Sequence, residues 1–219
     1  MIKAVIFDMD GLLVDSERVT FETLGEMSKE NGYIMTKDIY IKLLGITNKQ
    51  AGVMLKSIYG EGFDYQDYFG RLHTEMTKRY KKEGVPVKKG AKELLAQLRE
   101  DGIKTIVASS SDSEWVKTTL TLAGIFDCFD DYICGDEVKN AKPDPEIFLT
   151  ACKKIGTDKE NAVVLEDSFN GILSANRAGI KAICIPDMVQ PDTDKLDIYR
   201  IFNDLEEVKN YFKDADYEI

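Results

Sequence analysis

Short apolar runs and longer amphipathic stretches alternate along most of this chain. The first run, residues 5–7, is too short for a helix and reads as a strand buried on both faces. Further strands are predicted at 104–108, 132–135, 162–165 and 181–185. Helices are predicted at 91–100, 113–122, 145–155, 171–178 and 204–212. Strands that alternate with helices favour an α/β fold, namely a doubly wound, Rossmann-like parallel sheet covered on both faces.

Residues 17–82 break this alternation, because apolar positions there recur only with helical spacing. Capping residues and glycines divide the stretch into four helices, predicted at 17–30, 36–45, 47–60 and 64–82. Asp15 or Ser16 is expected to cap the first of them. The pattern therefore predicts an α/β core domain formed by 1–16 and 84–219, with an all-helical cap domain inserted at 17–83.

The charge balance narrows the partners that this chain can bind. Its 39 acidic and 29 basic residues give a net charge of −10, which disfavours nucleic acid and acidic membrane surfaces. No apolar run approaches about 18 residues, and no signal-peptide pattern precedes the first strand. The four cysteines lack metal-site spacing and read as reduced thiols. We therefore expect a cytoplasmic protein with no membrane or nucleic-acid partner, and we take it to be a monomer.

Two acids, Asp8 and Asp10, directly follow the first strand. Side chains alternate along an extended chain, so the two would begin on one side, roughly 6–7 Å apart. Gly11 lets the backbone turn and bring them closer. Two carboxyl groups held that close tend to share one proton unless a cation intervenes. The pair suits chemistry in which one carboxylate attacks and the other donates a proton. The alternative interpretation is that the two acids only form a solvated turn after the strand.

Three further polar segments are associated with later strands and loops. Ser109 and Ser110 end a buried strand just before a helix, where a hydroxyl and free amides could cradle a phosphate. The alternative is that Ser111 or Asp112 merely caps that helix. Lys142 stands just before two prolines, and the restricted backbone would aim its ammonium group at an anion, although a lone lysine is usually a solvated surface charge.

The last segment, Glu166 and Asp167, repeats the pattern of the first, because a buried strand again ends in two acids. Carboxylate oxygens from two such strand ends suit Mg²⁺, a hard cation, although these residues could also form a capped turn. The carboxyl ends of parallel strands meet at one edge of a sheet, where ligands bind. All four polar segments are therefore expected to form one site.

At these positions the chain resembles the haloacid dehalogenase superfamily of phosphohydrolases and phosphomutases. Four motifs carry the resemblance: D-x-D-G-x-L-V-D-S from Asp8, the hydroxyl of Ser109, Lys142 followed by proline, and L-E-D-S from Leu165. Because a helical segment is inserted after the first motif, the chain is similar to the subgroup that includes β-phosphoglucomutase. The resemblance covers essentially the whole chain and implies a core with a helical cap.

The resemblance implies a role for each residue of the first three motifs. Asp8 would be the nucleophile that forms an aspartyl-phosphate, and Asp10 would protonate the leaving oxygen and then activate water. Ser109, Ser110 and Lys142 would bind the transferring phosphoryl group, whose charge is spread over its oxygens.

The resemblance also implies a cofactor, Mg²⁺. The ion would be held by the Asp8 carboxylate, the Asp10 backbone carbonyl and Asp167, with Glu166 as a further ligand or as an acid just behind the ligands. Together with Lys142, it would offset the repulsion between an attacking carboxylate and a phosphate dianion. Without these positive charges the attack should fail.

Departures from the family pattern narrow the expected activity. Dehalogenases lack the second acid of the first motif, so Asp10 argues against carbon–halogen chemistry. Phosphomutases like β-phosphoglucomutase usually carry a His and an Arg on the cap, where this chain has Thr20 and Asn48. We therefore expect a Mg²⁺-dependent phosphomonoester hydrolase acting on a small phosphorylated metabolite, a sugar phosphate or a nucleotide-like compound, selected by Thr20, Thr47 and Asn48. The alternatives are a sugar phosphomutase and a non-catalytic binding protein.

Overall fold

The computed structural model describes residues 1–215 and 217–218 and contains the five strands predicted from the sequence, with a sixth, two-residue strand at the edge of the sheet that was not predicted. Its strands are Ala4–Phe7 (β1), Lys104–Ala108 (β2), Asp131–Ile133 (β3), Ala162–Glu166 (β4), Lys181–Cys184 (β5) and Arg200–Ile201 (β6). All are paired in parallel, in the order β3-β2-β1-β4-β5-β6. This order confirms the doubly wound, Rossmann-like fold. It reverses at β1, and sheets of this kind bind ligands at such a reversal.

Nine α-helices lie in the part of the chain that the structure describes. They are Ser16–Glu30 (α1), Lys37–Ile41 (α2), Asn48–Tyr59 (α3), Tyr65–Glu83 (α4), Ala91–Glu100 (α5), Ser113–Ala123 (α6), Glu146–Ile155 (α7), Phe169–Ala178 (α8) and Leu205–Ala215 (α9). Most of these bounds lie close to the predicted ones. None of the described helices is long and apolar enough to span a bilayer.

The chain divides into two compact units, one formed by residues 1–15 and 85–219 and the other by residues 16–84. The sheet and helices α5–α9 belong to the first unit. Its apolar core includes Ile6 and Val164 from the sheet, together with Phe148 of α7 and Ile172 of α8, all of which are buried. Because both faces of the strands are apolar, their polar residues are concentrated at the strand ends.

The second unit contains α1–α4, and a tyrosine links its first and last helices. Tyr68 of α4 is buried, and its hydroxyl lies 2.7 Å from Ser28 Oγ and 2.7 Å from the Leu24 carbonyl oxygen of α1. Phe63 packs against the same ring, with the two ring centroids 5.0 Å apart. These contacts tie α4 to α1 within the unit.

One local expectation in this unit was wrong, and one was narrowed. Thr36 caps α2 as expected, but the helix ends at Ile41 and not near residue 45. The Lys42 amide bonds to the Ile39 carbonyl three residues back, which is the tighter spacing of a turn. The cap of α1 was expected at Asp15 or Ser16. Ser16 is the first residue of the helix and its buried hydroxyl has no hydrogen-bond partner among the described atoms, which leaves Asp15 in the position before the helix.

Candidate active site

Strand register brings the predicted residues to one edge of the sheet. Phe7 in β1 pairs with Val107 in β2 and with Leu165 in β4, so the residues that follow these three reach the carboxyl edge together. The functional candidates among them are Asp8, Ser109, Glu166 and Asp167. The Asp8 amide donates to the Leu165 carbonyl at 3.1 Å, which extends the β1–β4 pairing by one residue. The backbone therefore fixes where the nucleophile candidate lies.

Lys142 lies between two of these acids. Its Nζ donates to Asp8 Oδ1 at 2.6 Å, to Glu166 Oε1 at 2.8 Å and to the Ala108 carbonyl at 2.9 Å. The ring of Phe148 packs beside it, with its centroid 4.9 Å from Nζ. The side chain is only 5% exposed, and all three ammonium hydrogens can be accounted for by these contacts. Lys142 is therefore fixed in the site and is not a solvated surface charge.

Burial and charge set the pKa values of the Asp8–Lys142 pair. Burial is the largest effect on Asp8 and raises its pKa to about 8, with Glu166 and Asp10 adding to the rise and Lys142 opposing it. Burial lowers the pKa of Lys142, but the Asp8 and Glu166 carboxylates outweigh it and raise that pKa above its usual value. The acids outnumber the ammonium group, so a further cation beside them would favour the ionised form of Asp8.

Glu166 connects the lysine to the loop that follows β4. Its Oε1 accepts from Lys142, and its Oε2 accepts from the amides of Asp167 at 3.0 Å and Ser168 at 2.9 Å. Gly171 of α8 makes room for this carboxylate, since a Cβ on Gly171 would lie only 1.7 Å from Oε1. Both oxygens of Glu166 are thus engaged in hydrogen bonds that hold the lysine and the loop. Nothing in the sequence alone distinguishes Gly171 as part of this arrangement.

Three carboxylates in the described chain are close enough to share a metal ion. One oxygen each from Asp8, Glu166 and Asp167 lie within 4.8 Å of one another. Oxygen ligands of this kind suit a hard divalent cation. Gly11, with a φ of +81°, permits a close approach of the turn after β1, because a Cβ there would lie 2.5 Å from Asp167 Oδ2. The group could therefore hold a metal ion beside β1 and β4.

The loop after β2 orients the second acid of the first motif. Ser111 Oγ donates to Asp10 Oδ2 at 2.8 Å, and the Ser111 amide donates to Ser109 Oγ at 3.1 Å. Asp112, and not Ser111, caps α6 by accepting from the Trp115 amide at 2.8 Å. Ser111 is therefore available to Asp10. The sequence left the choice of capping residue open and did not predict this contact.

The four remaining site candidates are not part of the contacts described above. Ser110 is exposed at the end of β2. In the second unit, Thr20 Oγ1 donates to Met76 Sδ at 3.4 Å, and Thr47 caps α3. Asn48 is the exposed first residue of α3. The hydroxyls of both threonines thus have partners within their own unit.

Known proteins are similar to this chain in sequence and in fold. The family model for haloacid dehalogenase-like hydrolases matches residues 5–185. Bacillus subtilis YhcW, provisionally named a phosphatase, is 33% identical over 193 residues, 86% of each chain. The phosphorylated carbohydrates phosphatase of Thermotoga maritima is 32% identical over 181 residues, 83% of each chain.

A solved structure supports the same assignment. It is a Thermotoga maritima protein provisionally named a β-phosphoglucomutase, and it matches 98% of this chain and 100% of its own. The TM-score is 0.83 at 26% sequence identity. The chain therefore belongs to the haloacid dehalogenase-like hydrolases and is an enzyme, a hydrolase of phosphoric monoesters.

Proposed function

We propose that this enzyme is a Mg²⁺-dependent phosphatase that acts on a small phosphorylated metabolite through an aspartyl-phosphate on Asp8. The observation that carries the proposal is that Asp8 contacts Lys142 and also belongs to the carboxylate group that could hold a metal ion. A phosphate dianion repels an attacking carboxylate, and positive charge on both sides of Asp8 would offset that repulsion.

In the proposed first step, an oxygen of Asp8 attacks phosphorus, and the bond from phosphorus to the alcohol oxygen breaks. Asp10 donates its proton to that leaving oxygen, so the alcohol departs uncharged. Lys142 Nζ donates to Asp8 Oδ1 at 2.6 Å, and this donor would pass to a phosphoryl oxygen as Asp8 attacks and charge spreads over the transferring group. The Ser109 hydroxyl and Ser110, an exposed residue just after β2, are the proposed further donors.

In the second step, Asp10 acts as a carboxylate and takes a proton from water as the water oxygen attacks phosphorus. The bond between phosphorus and the Asp8 oxygen breaks, which restores the Asp8 carboxylate and releases inorganic phosphate. The Ser111 hydroxyl would direct Asp10 in both steps, because its Oγ donates to Asp10 Oδ2.

Asp8 and Asp167 are the proposed side-chain ligands of Mg²⁺, with the Asp10 backbone carbonyl as a third and Glu166 as the acid behind them. When bound, the ion would supply positive charge against the nucleophile and the phosphoryl oxygens. Asp167 is only partly buried, which leaves space for water and substrate oxygens of the kind that Mg²⁺ sites usually retain.

Water is the proposed acceptor of the phosphoryl group. Thr20 and Asn48 stand where the phosphomutases that this chain resembles carry a His and an Arg, which favours hydrolysis over transfer to a second sugar hydroxyl. The Thermotoga relative is named for phosphorylated carbohydrates, and this supports a sugar phosphate as substrate, with nucleotide-like compounds as the next class to test. Thr20, Thr47 and Asn48 remain the proposed specificity residues of the second unit.

Release of inorganic phosphate from a panel of sugar phosphates, polyol phosphates and nucleotides tests this proposal. We expect turnover of at least one compound with Mg²⁺ and a loss of about 100-fold or more after EDTA, because a catalytic metal contributes several kcal/mol of charge stabilisation. Excess Mg²⁺ should restore the rate. A hexose 1-phosphate that yields its 6-isomer without free phosphate would identify a mutase. No phosphate release from any compound with Mg²⁺ would contradict the proposal.

Replacing Ser111 with Ala should impair the enzyme selectively toward poor leaving groups. The substitution removes the donor that orients Asp10, and general acid catalysis matters most when the leaving oxygen is a basic alkoxide. We expect kcat to fall about 10-fold or more on an alkyl phosphate. On p-nitrophenyl phosphate, whose leaving group needs little protonation, we expect a much smaller change.

Two variants serve as controls for this comparison. Ser111→Thr retains the hydroxyl and should restore most of the lost rate on the alkyl phosphate. Ser113→Ala removes the hydroxyl of the first residue of α6, which donates to Asp136 Oδ2, and should change the rate on neither substrate. Equal losses on both substrates in Ser111→Ala would show that Ser111 does not act through Asp10.

A further inference from the structure

A second, partly buried ion pair lies beside the turn after β1 and is not used in the steps above. Asp187 follows β5, and its Oδ1 accepts from Lys88 Nζ at 2.5 Å. Only 10% of the Asp187 side chain is exposed. Its other oxygen, Oδ2, is buried and has no hydrogen-bond partner among the described atoms. A buried carboxylate oxygen without a partner is costly, which points to a donor that the protein itself does not supply.

Gly11 shows where this oxygen lies. A Cβ at Gly11 would be 3.2 Å from Asp187 Oδ2 and 2.5 Å from Asp167 Oδ2. Oxygens from the ends of β4 and β5 therefore approach the same position in the turn after β1. Carboxylates brought together in this way repel each other unless a cation or a hydrogen-bond donor lies beside them.

Lys88 holds Asp187 in this position from a segment that pairs with the same turn. The Lys88 amide donates to the Leu13 carbonyl at 2.9 Å, and the Asp15 amide donates to the Pro86 carbonyl at 2.8 Å. Lys88 Nζ also lies 4.0 Å from Asp15 Oδ1. These backbone bonds fix the main chain of Lys88. Its ammonium group engages Asp187 Oδ1, and Oδ2 is the oxygen that faces the turn.

We propose that Asp187 is a positioning residue of the metal site, whose Oδ2 accepts a hydrogen bond from a water molecule on the Mg²⁺ ion. The inference rests on the proposed function. Among the described residues, the acids close enough to ligate one ion together are Asp8, Glu166 and Asp167, without Asp187. Contact through water therefore fits better than direct ligation, and Mg²⁺ usually keeps several of its waters in proteins.

Mg²⁺ binding to the full chain, measured by isothermal titration calorimetry with the metal alone, tests this inference. Asp187→Asn should raise the Kd for Mg²⁺ about 10- to 100-fold, the usual effect of losing a partner behind the ligands. Asp194→Asn removes an exposed carboxylate from the same loop and should leave the Kd unchanged. In activity assays, Asp187→Asn should raise the Mg²⁺ concentration for half-activation while kcat at saturating Mg²⁺ stays near that of the wild type.

Lys88→Met separates positioning from a simple charge effect. Removal of this cation makes the surroundings of the metal site more negative, so Coulomb attraction alone would tighten Mg²⁺ binding. Loss of the group that holds Asp187 should instead weaken it. Tighter binding in Lys88→Met would therefore contradict the positioning role.

The double variant Lys88→Met/Asp187→Leu covers the case in which Asp187→Asn does not fold, because apolar side chains commonly replace a buried ion pair without loss of stability. It should show the same weakened Mg²⁺ binding. A wild-type Kd in Asp187→Asn, or in this double variant, would overturn the inference. If Asp167→Asn still abolished Mg²⁺ binding, the proposed function would stand. Failure of the wild-type protein itself to bind Mg²⁺ would overturn both.

Discussion

Replacing Asp8 with Asn should abolish phosphate release. The amide has nearly the same shape as the carboxylate but is not a competent nucleophile, so the aspartyl-phosphate cannot form. Loss of the nucleophile costs on the order of 10⁶-fold in a well-studied protease, and we expect at least about 10⁴-fold here. The measurement is the rate of phosphate release at saturating Mg²⁺ from the best substrate of the panel. A rate within tenfold of the wild type would show that Asp8 is not the nucleophile.

The same substitution should leave the fold intact. Burial opposes charge on Asp8 and raises its pKa to about 8, so a neutral amide avoids that cost, although it weakens one hydrogen bond of Lys142. We expect the Tm in metal-free buffer to stay within about 4 °C of the wild type, which corresponds to about 1 kcal/mol for a chain of this size. Asp194→Asn is the matched control for the loss of one carboxylate and should change neither Tm nor activity.

The position of Asp8 could be predicted because its signal is local. Residues 5–7 are apolar without interruption, as expected of a central parallel strand, and the acid follows immediately. Glu166 and Asp167 follow β4 in the same way. Pairing of Phe7 with Leu165 then requires both ends to meet at one edge of the sheet. The same few residues therefore predict both the strand and the site at its end.

The partners of Lys142 could not be predicted, because the loop that carries it has no periodic pattern. The sequence indicated a restrained lysine near an acidic edge. It contained no information that Nζ would lie between Asp8 and Glu166 with the Ala108 carbonyl as third acceptor. Such contacts depend on the packed positions of β1, β2 and β4 and on the Phe148 ring beside the ammonium group.

Ser111 shows a different limit of sequence reasoning. Ser111 and Asp112 are both good capping residues, and local propensity does not choose between them. The structure shows which of the two caps the helix. Asp112 accepts from the Trp115 amide, and Ser111, one position earlier, contacts Asp10. Asp187 is a similar case, because it lies close to Gly11 in the folded protein although the two residues are far apart in the sequence. Both residues become candidates only once the tertiary positions are known.

Replacing Lys142 with Met should reduce activity and stability together. Loss of one preorganised donor to a developing charge costs about 10²- to 10³-fold in kcat, and we expect a loss of this size in phosphate release. Removal of one partner from a buried ion pair typically costs about 3–5 kcal/mol. Here Asp8 can take up a proton, since burial already raises its pKa to about 8 and Lys142 is the charge that opposes this rise. We therefore expect a loss of about 3 kcal/mol, measured by urea denaturation in metal-free buffer.

Mg²⁺ should reduce the stability deficit of Lys142→Met, because an ion held by Asp8 and Asp167 would neutralise charge that the lysine no longer balances. Lys139→Met removes an exposed lysine three positions earlier in the same loop and should keep wild-type stability and activity. A Lys142→Met protein as stable as the wild type in metal-free buffer would show that the lysine does not balance the buried acids. A deficit that Mg²⁺ leaves unchanged would instead argue that the ion does not bind beside Asp8.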